Sequence, residues 1–546
     1  MKQAQHQWQH LFGPRGLLGV QGEYFDTVVF CREVLETALQ TSQAYRLSRH
    51  VPRVWLNRAY DAILITNCWS TTVINVRWSH PRQVALRRLL CLISDLVLDL
   101  VSTLVVPLVI AATYAADYDY DNNGLFEVGM YDDRWMLHFL NECNLVVVSS
   151  WLDLFGRLLF SFSALVSLQS VKTLLQRRPT GTTRVQPVSG PLDTLTSNLP
   201  QRRRKHRRCG CSELELSRNV FCVWGLVVLV LQAHAETLSV VGVCLMQVRP
   251  WLNRKPACLL VDINCKRTTS VGAANDIDVI LNSIDEQVVQ HLLVRHCPDM
   301  HVPASVQSLH QLLGFKIYNS SLVEWSPEAA LTDRTHPLML FCFLIRAHFK
   351  DGVLPAGMID RNFPHSLLDI EIVDSNLMDL PSDLHQRWPA GVNLYLEKCS
   401  LGAHLPHTLF HMHLSALSLS GSISFADAPV ELLERLNGIM ALMLQSPVLQ
   451  RLPESVAVVP SSLRKLFLAH TNISYLPDWM DNRLLQTLRV DLWGTPICAA
   501  LSRNETTGLA NASLDIALAV KNKKLRCKPY NETMYPLWLD DMLLSE

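Results

Sequence analysis

The sequence predicts an α/β solenoid of parallel strands joined to an α-helical membrane region of about three spans. Three observations predict it. A pattern L-x-x-L-x-L-x-x-N-x-L recurs between residues 289 and 495, a Leu-Pro step follows most of its copies, and three long apolar stretches precede them. The pattern is clearest at Leu463, Leu466, Leu468, Thr471 and Ile473. It returns at Leu367, Ile370, Ile372, Ser375 and Leu377, then at Leu394, Leu396, Cys399 and Leu401. Further copies begin near Val289, Leu312, Leu414, Ile439 and Leu485, with a degenerate one at 340–345. From Leu367 onward the starts (367, 391, 414, 439, 463, 485) fall 22 to 25 residues apart.

Leu-x-Leu alternation puts two side chains on one face of a short strand. The steps Leu354-Pro355, Leu380-Pro381, Leu405-Pro406, Leu452-Pro453 and Leu476-Pro477 suit the return path, because proline fixes φ and ends the strand. A helical core would not hold a Leu-Pro step at a constant offset. One unit cannot bury its apolar edge alone, so the units must stack. The pattern and period resemble the leucine-rich repeat family. That resemblance implies a parallel-strand horseshoe of about eight or nine repeats. The ninth position, usually asparagine in the family, is here Cys297, Ser320, Ser375, Cys399, Ser422, Pro447, Thr471 and Trp493. Hydroxyls and thiols still bond the turn backbone; Pro447 and Trp493 do not, which predicts local irregularity.

The chain has 546 residues, zero net charge and 49% apolar residues. This excludes a global electrostatic case for nucleic acid and favours membrane segments. The first residues lack the basic start and apolar run of a cleavable signal, so export is expected through an internal segment. Residues 1–88 carry eleven Lys/Arg against five Asp/Glu and read as a cytoplasmic amino-terminal region. Within them, residues 23–47 read as an amphipathic helix with Phe25, Val28, Val29, Leu35 and Leu39 as its buried stripe. Segment 62–76 is apolar but short and polar-broken, fitting an interfacial or buried position better than a span. Within 89–170, the stretches 89–116 and 144–168 are long enough to cross a bilayer and flank a short acidic loop. A basic linker at 171–218 follows, containing the run from Arg202 to Arg208, and a third apolar stretch occupies 219–248. Residues 249–288 would cap the repeats at 289–495, and 496–546 would form the carboxyl-terminal cap and tail.

Segment 171–218 has eleven basic and three acidic residues, and the 113–135 loop has one and six. Positive residues stay cytoplasmic, which places the repeats outside the cell or in an endomembrane lumen. Sequons agree independently. Asn319, Asn472, Asn504, Asn511 and Asn531 each open Asn-x-Ser/Thr, and all follow the third stretch. The outside compartment also permits disulfides. Resemblance to exported leucine-rich repeat domains implies capping by Cys258 with Cys265 and Cys498 with Cys527; Cys297 and Cys399, at ladder positions, would be buried thiols.

Asp95 and Asp99 share one face of the first stretch, and Asp153 and Arg157 one face of the second. Charges inside a span are costly. They read either as an ion or proton path, or as Arg157 pairing with Asp153 and a first-stretch aspartate to fasten the helices. No Walker loop, dinucleotide fingerprint, nucleophile elbow or His-Glu-x-x-His is present, so neither an enzyme nor a cofactor is expected. The non-leucine strand positions would line the concave face: Lys316, Tyr318, Asp369, Glu371, Asn393, Tyr395, Glu397, Lys465, Phe467, Arg489 and Asp491. Aromatics amid charges resemble protein-binding anchors.

The apolar stretches, charge asymmetry and sequons predict a plasma-membrane, multi-pass glycoprotein, and the resemblance implies that it binds an extracellular protein, peptide or glycan ligand in a receptor-like or adhesion role. Membrane lipid is a further partner, with a co-receptor or a second copy of the chain as others. The alternatives are an auxiliary subunit of a channel or transporter and a structural cell-surface glycoprotein.

Overall fold

The computed structural model describes residues 25–78, 84–119, 124–125, 127–148, 150–175, 202–238, 242–402, 404–436, 438–503, 508–510, 514–528 and 534–544. They divide into two compact units. One comprises Met1–Tyr118, His138–Leu238 and Val248–Asn253; the other Asp119–Leu137, Ser239–Gln247 and Arg254–Glu546.

The first unit is helical: α1 (Phe25–His50), α2 (Val54–Arg77), α3 (Val84–Leu100), α4 (Val106–Ala115), α5 (Asp133–Val146, shared in sequence with the second unit), α6 (Trp151–Leu175) and α7 (Arg202–Thr237). A π-helical turn, Val101–Val105, joins α3 to α4. It accommodates Pro107, whose missing N–H and bulky ring would interrupt an uninterrupted α-helical ladder. Among the described residues three helices are long and apolar enough to cross a membrane: Leu86–Ala115, Asp153–Lys172 and Asn219–Thr237. The third ends before Cys244–Val248, which the hydropathy reading assigns to it but which forms a strand.

Helix α1 buries the opposite face from the one expected. Val28 and Leu35 are exposed, whereas Glu33, Glu36, Thr37 and Gln40 are buried; the side chains of Phe25 and Val29 lie outside the described residues. The reason is a set of polar partners on neighbouring helices. Arg32 pairs with Asp95 at 3.3 Å and donates to Ser167 at 2.8 Å, and Gln40 Nε2 donates to Asp99 at 3.0 Å. Segment 62–76 lies within α2, which packs on α7. The Trp69 indole N–H donates to the Cys222 carbonyl (3.4 Å), and Arg58 pairs with Glu236 (2.8 Å). Arg157 lies 3.9 Å from Asp153 and donates to the Leu145 carbonyl. The groups that fasten Asp95 and Asp99 therefore come from α1, in place of Arg157.

The second unit is built on a 13-stranded sheet. In chain order its strands are β1 (Cys244–Val248), β2 (Ala257–Asn264), β3 (His291–Arg295), β4 (Gly314–Glu324), β5 (Phe341–Phe349), β6 (Asp369–Val373), β7 (Val392–Glu397), β8 (Leu414–Ser418), β9 (Ala441–Met443), β10 (Lys465–Phe467), β11 (Arg489–Asp491) and β12 (Leu525–Arg526). Each pairs with the next along the chain, in parallel from β2 onward. A further short strand, Met300–His301, pairs with β4. The repeated leucine positions stack in register: Leu394 opposite Ile370, Leu442 opposite Leu466, Leu466 opposite Val490. They form one continuous buried core. The Leu-Pro steps open 3-10 turns on the return path, at Ala356–Met358 and His407–His411.

Ninth-position side chains bond as small hydroxyls and thiols should. Cys399 N–H donates to Ser422 Oγ at 2.7 Å, and Ser422 Oγ donates to the Leu396 carbonyl at 2.7 Å. In the last repeat the strand register moves that position from Trp493 to Thr495. Thr495 Oγ1 donates to the Leu492 carbonyl at 2.7 Å, as Thr471 Oγ1 does to Leu468. The true core pair there is Val490 and Leu492, so the copy assigned to Leu485 is displaced by two residues.

Disulfides join Cys244 to Cys258, Cys265 to Cys297 and Cys498 to Cys527. The expected Cys498–Cys527 pair is present. Cys258 and Cys265 instead find separate partners, because β1 brings Cys244 to Cys258 and the ninth position of β3 brings Cys297 to Cys265. Replacing both Cys498 and Cys527 with serine is expected to cost about 2–5 kcal/mol, read by thermal unfolding under oxidising conditions. An unchanged midpoint would show that this bond does not hold the carboxyl-terminal cap.

Candidate functional site: the second face of the sheet

One face of the sheet is the leucine core. The other carries the intervening residues, and its character changes along the ladder. From β2 to β6 this second face is largely buried and mixes charged with apolar residues; its apolar members Leu260, Leu293, Phe341, Phe343, Ile345 and Val373 are between 0% and 5% exposed. These residues lie outside the leucine core cluster. Strands buried on both sides read as continuous apolar runs, and Leu259-Leu260-Val261 and Leu292-Leu293-Val294 are such runs. That signal was present in the sequence and would have announced a second covering layer.

Part of the cover comes from two distant segments of the same unit. One is 127–137, the acidic loop with the start of α5. The other is the carboxyl-terminal segment 534–544, including helix α8 (Leu537–Leu544). Lys316 is fully buried between them, its Nζ 2.6 Å from Asp540 Oδ1 and 3.4 Å from Asp133 Oδ2. Burial alone would lower the ammonium pKa, but the two carboxylates outweigh it and hold Lys316 protonated above the ordinary lysine value. One ammonium serves two buried acids, so burial leaves both carboxyls above the usual range. His291, fully buried beside Asp133 at 3.5 Å, is pushed down to about 3 by burial and by Lys316.

Around this centre the segments are stitched to the face. Tyr131 donates to Glu371 Oε1 (3.0 Å), and its ring meets that of Tyr535 at 5.0 Å, edge to face. The Tyr535 amide donates to Glu397 Oε2 (2.8 Å), and its hydroxyl donates to Asp540 Oδ2 (2.7 Å). Tyr318 donates to Asp541 Oδ1 (2.9 Å), while Arg346 pairs with both oxygens of Asp541. Arg295, held by Asp262 at 2.9 Å, donates to the Leu544 carbonyl, as does His296 at 2.8 Å. Gly314 leaves room on this face for Phe341: a Cβ there would lie 2.0 Å from the Phe341 ring. Gly314→Ala is therefore expected to destabilise by about 1–3 kcal/mol in thermal unfolding, and a neutral result would mean that the ring is free to move.

The face residues named from sequence thus differ in burial along the ladder. Lys316, Tyr318, Glu371 and Glu397 are buried, each bonded to residues of the chain's own covering segments. Asp369, Asn393 and Tyr395 are half-buried. Toward the carboxyl end, Lys465 and Arg489 are exposed, Phe467 is half-buried, and Asp491 is buried. The ring of Trp493 joins this end, 37% exposed. Sequence reasoning missed Tyr131, Asp133, Tyr535, Asp540, Asp541, Arg295 and Arg346, since none carries a repeat signature. Asn319 and Asn472 are exposed; Asn504, Asn511 and Asn531 lie outside the described residues. Among the described residues no cluster of His, Cys, Asp or Glu is arranged to hold a metal ion.

No protein-family model matches the chain, and no curated relative matches it. Solved structures resemble it. A leucine-rich repeat protein of Leptospira interrogans is 15% identical over 48% of this chain and 58% of its own, with a TM-score of 0.32. The APL1 leucine-rich repeat domain is 18% identical over 40% of this chain and 52% of its own, with a TM-score of 0.26. A chain of the octameric complex of Latrophilin 3, Unc5D and FLRT2 (LRR) is 11% identical over 51% and 86%, with a TM-score of 0.25. The chain spans just over half the length of the first two. Its own strand register and buried ladder, rather than these likenesses, carry the functional reading.

Proposed function

We propose that this chain is a membrane-anchored leucine-rich repeat protein. Its repeats lie outside the cell and bind a protein ligand, in a receptor-like or adhesion role without enzymatic activity of its own. The observation that carries this reading is the division of the second face. Its β2–β7 part holds the chain's own segments, whereas its β9–β11 end presents exposed Lys465 and Arg489 beside Phe467 and Trp493. A cationic and aromatic patch of this kind fits a protein or peptide better than a small molecule. Anchoring is supported by the three apolar helices and by α1, whose exposed apolar and buried polar sides suit lipid surroundings.

Two measurements test the proposal. An endoglycosidase shift, abolished when all five sequon asparagines become glutamine, is expected of repeats outside the membrane. Absence of a shift in folded, inserted protein would place them in the cytosol and sink the extracellular reading. Cells displaying the chain should lose at least about tenfold in ligand or cell binding on Phe467→Ala or Arg489→Ala. Binding indifferent to both variants would leave a structural surface glycoprotein.

A second reading, a channel or transporter subunit, is favoured by the buried Glu33, Glu36, Asp95 and Asp99 in the helical unit. Asp99→Asn would then abolish a current while surface expression persists.

A further inference from the structure

We infer that the β3–β7 part of the second face is a docking site for an acidic, aromatic helical segment of a partner protein, and that residues 534–544 occupy it in cis as a displaceable stand-in. The inference rests on the extracellular binding role proposed above and names the chemistry of the ligand.

The bound segment shows what the face selects. Its cationic end offers Lys316, Arg295 and Arg346, which together with the His296 ring converge on Asp540, Asp541 and the Leu544 carbonyl. Its aromatic floor, Phe341 and Phe343, receives Tyr535, and Glu397 takes the Tyr535 amide. A matching ligand therefore carries an aromatic residue just before a short helix and, five and six residues on, paired acids, an anchor pattern akin to helix-in-groove recognition. Charge complementarity places the paired acids of the ligand at the Lys316 and Arg346 end, away from Glu371 and Glu397.

The segment is attached from one side only. Leu539, Asp540 and Leu544 are buried, whereas Trp538 and Met542 on the opposite side of α8 are 59% and 64% exposed. The Arg346–Asp541 pair lies at the solvent edge. A helix of eight residues has little stability of its own, so its structure depends on the contacts it makes with the face. Such a piece opens locally without unfolding the sheet beneath it.

The test uses the full chain in detergent and a labelled synthetic peptide of residues 534–546 as the probe. Weakening the cis contact with Tyr535→Ala and Asp541→Ala should raise peptide affinity at least about tenfold over the unaltered chain, because the occupied fraction of the face falls. Adding Arg346→Ala should return affinity to the starting level. Peptide that binds neither chain, or that ignores Arg346→Ala, overturns the proposal. Hydrogen exchange on the unaltered chain keeps it falsifiable should the variants misfold. Amides of 537–544 are expected to exchange well before those of β4–β7, and exchange only with global unfolding would make the segment permanent core. An unaltered chain that runs as a dimer and becomes monomeric with the two tail substitutions would put a second copy's segment on the face, also overturning it. The peptide readout does not involve the β9–β11 patch. Loss of the Phe467 phenotype with retained peptide exchange would therefore sink the function proposed above and leave the face's chemistry standing.

Discussion

Replacing Lys316 with methionine is expected to destabilise the repeat domain by about 3–5 kcal/mol at neutral pH, the cost of leaving buried charge without its partner. Nζ lies 2.6 Å from Asp540 and 3.4 Å from Asp133, and the side chain has no access to water. Methionine matches the stem in length but withdraws the only ammonium that these two acids share in this cluster. Both carboxyls would then take up protons at higher pH than in the parent. The loss should accordingly shrink as pH falls, because protonated acids no longer need the ammonium. Adding Asp133→Asn and Asp540→Asn to Lys316→Met should recover most of the stability, since replacing all members of a buried ionic cluster is far milder than removing one. Thermal unfolding of the full chain in detergent reads each value. A loss under about 1 kcal/mol for Lys316→Met alone would show the carboxylates reaching water by another route.

The second large effect is pH dependence from the carboxyls of β6 and β7. Burial pushes Glu397 up to about 7, and burial together with Asp369 and Glu397 holds Glu371 well above the carboxylate range. Burial likewise raises Asp369. A carboxyl whose folded pKa exceeds its unfolded value, about 4.3 for glutamate, binds more protons folded than unfolded between the two. Stability therefore falls as pH rises from about 4 to about 7, by up to about 1.4 kcal/mol per pH unit for each such group. His291 and His336, pushed down to about 3 and about 4 chiefly by burial, act in the opposite direction across most of this window, up to the ordinary histidine value of about 6.5. The comparison of parent with a Glu371→Gln, Glu397→Gln variant removes their contribution, because both histidines titrate in each protein. The variant is expected to be more stable than the parent at neutral pH, by an amount on the order of 3 kcal/mol, and no more stable near pH 4. It gives up acceptor capacity toward Tyr131, Ser418 and the Tyr535 amide, which limits its gain. Parallel stability curves for the two proteins would show that these carboxyls titrate as if in water.

What the sequence by itself determined about this protein is its ladder. Leu466 and Leu468, repeated at constant spacing, set strand positions that the register then stacks, because a period-2 strand inside a period near 24 leaves little choice of core. Ser422 and Thr471 were readable as turn hydroxyls for the same local reason. The long apolar helices were legible from length and composition alone. Tertiary structure decided the rest. Cys265 chose Cys297 over Cys258 because strand pairing sets which sulfurs meet, and Trp493 left the ninth position because the register, rather than the nearest leucine, defines the repeat. Helix α1 turned Arg32 and Gln40 inward because their carboxylate partners, Asp95 and Asp99, sit on another helix, a fact that no periodicity contains. Most decisive was the second face. Lys316, Tyr318 and Glu397 occupy solvent-facing positions in any single repeat, and only segments 183 and 224 residues from Lys316 turn its position into a buried centre. Such partners bond through side-chain charge at long sequence separation, where a repeat pattern carries no information.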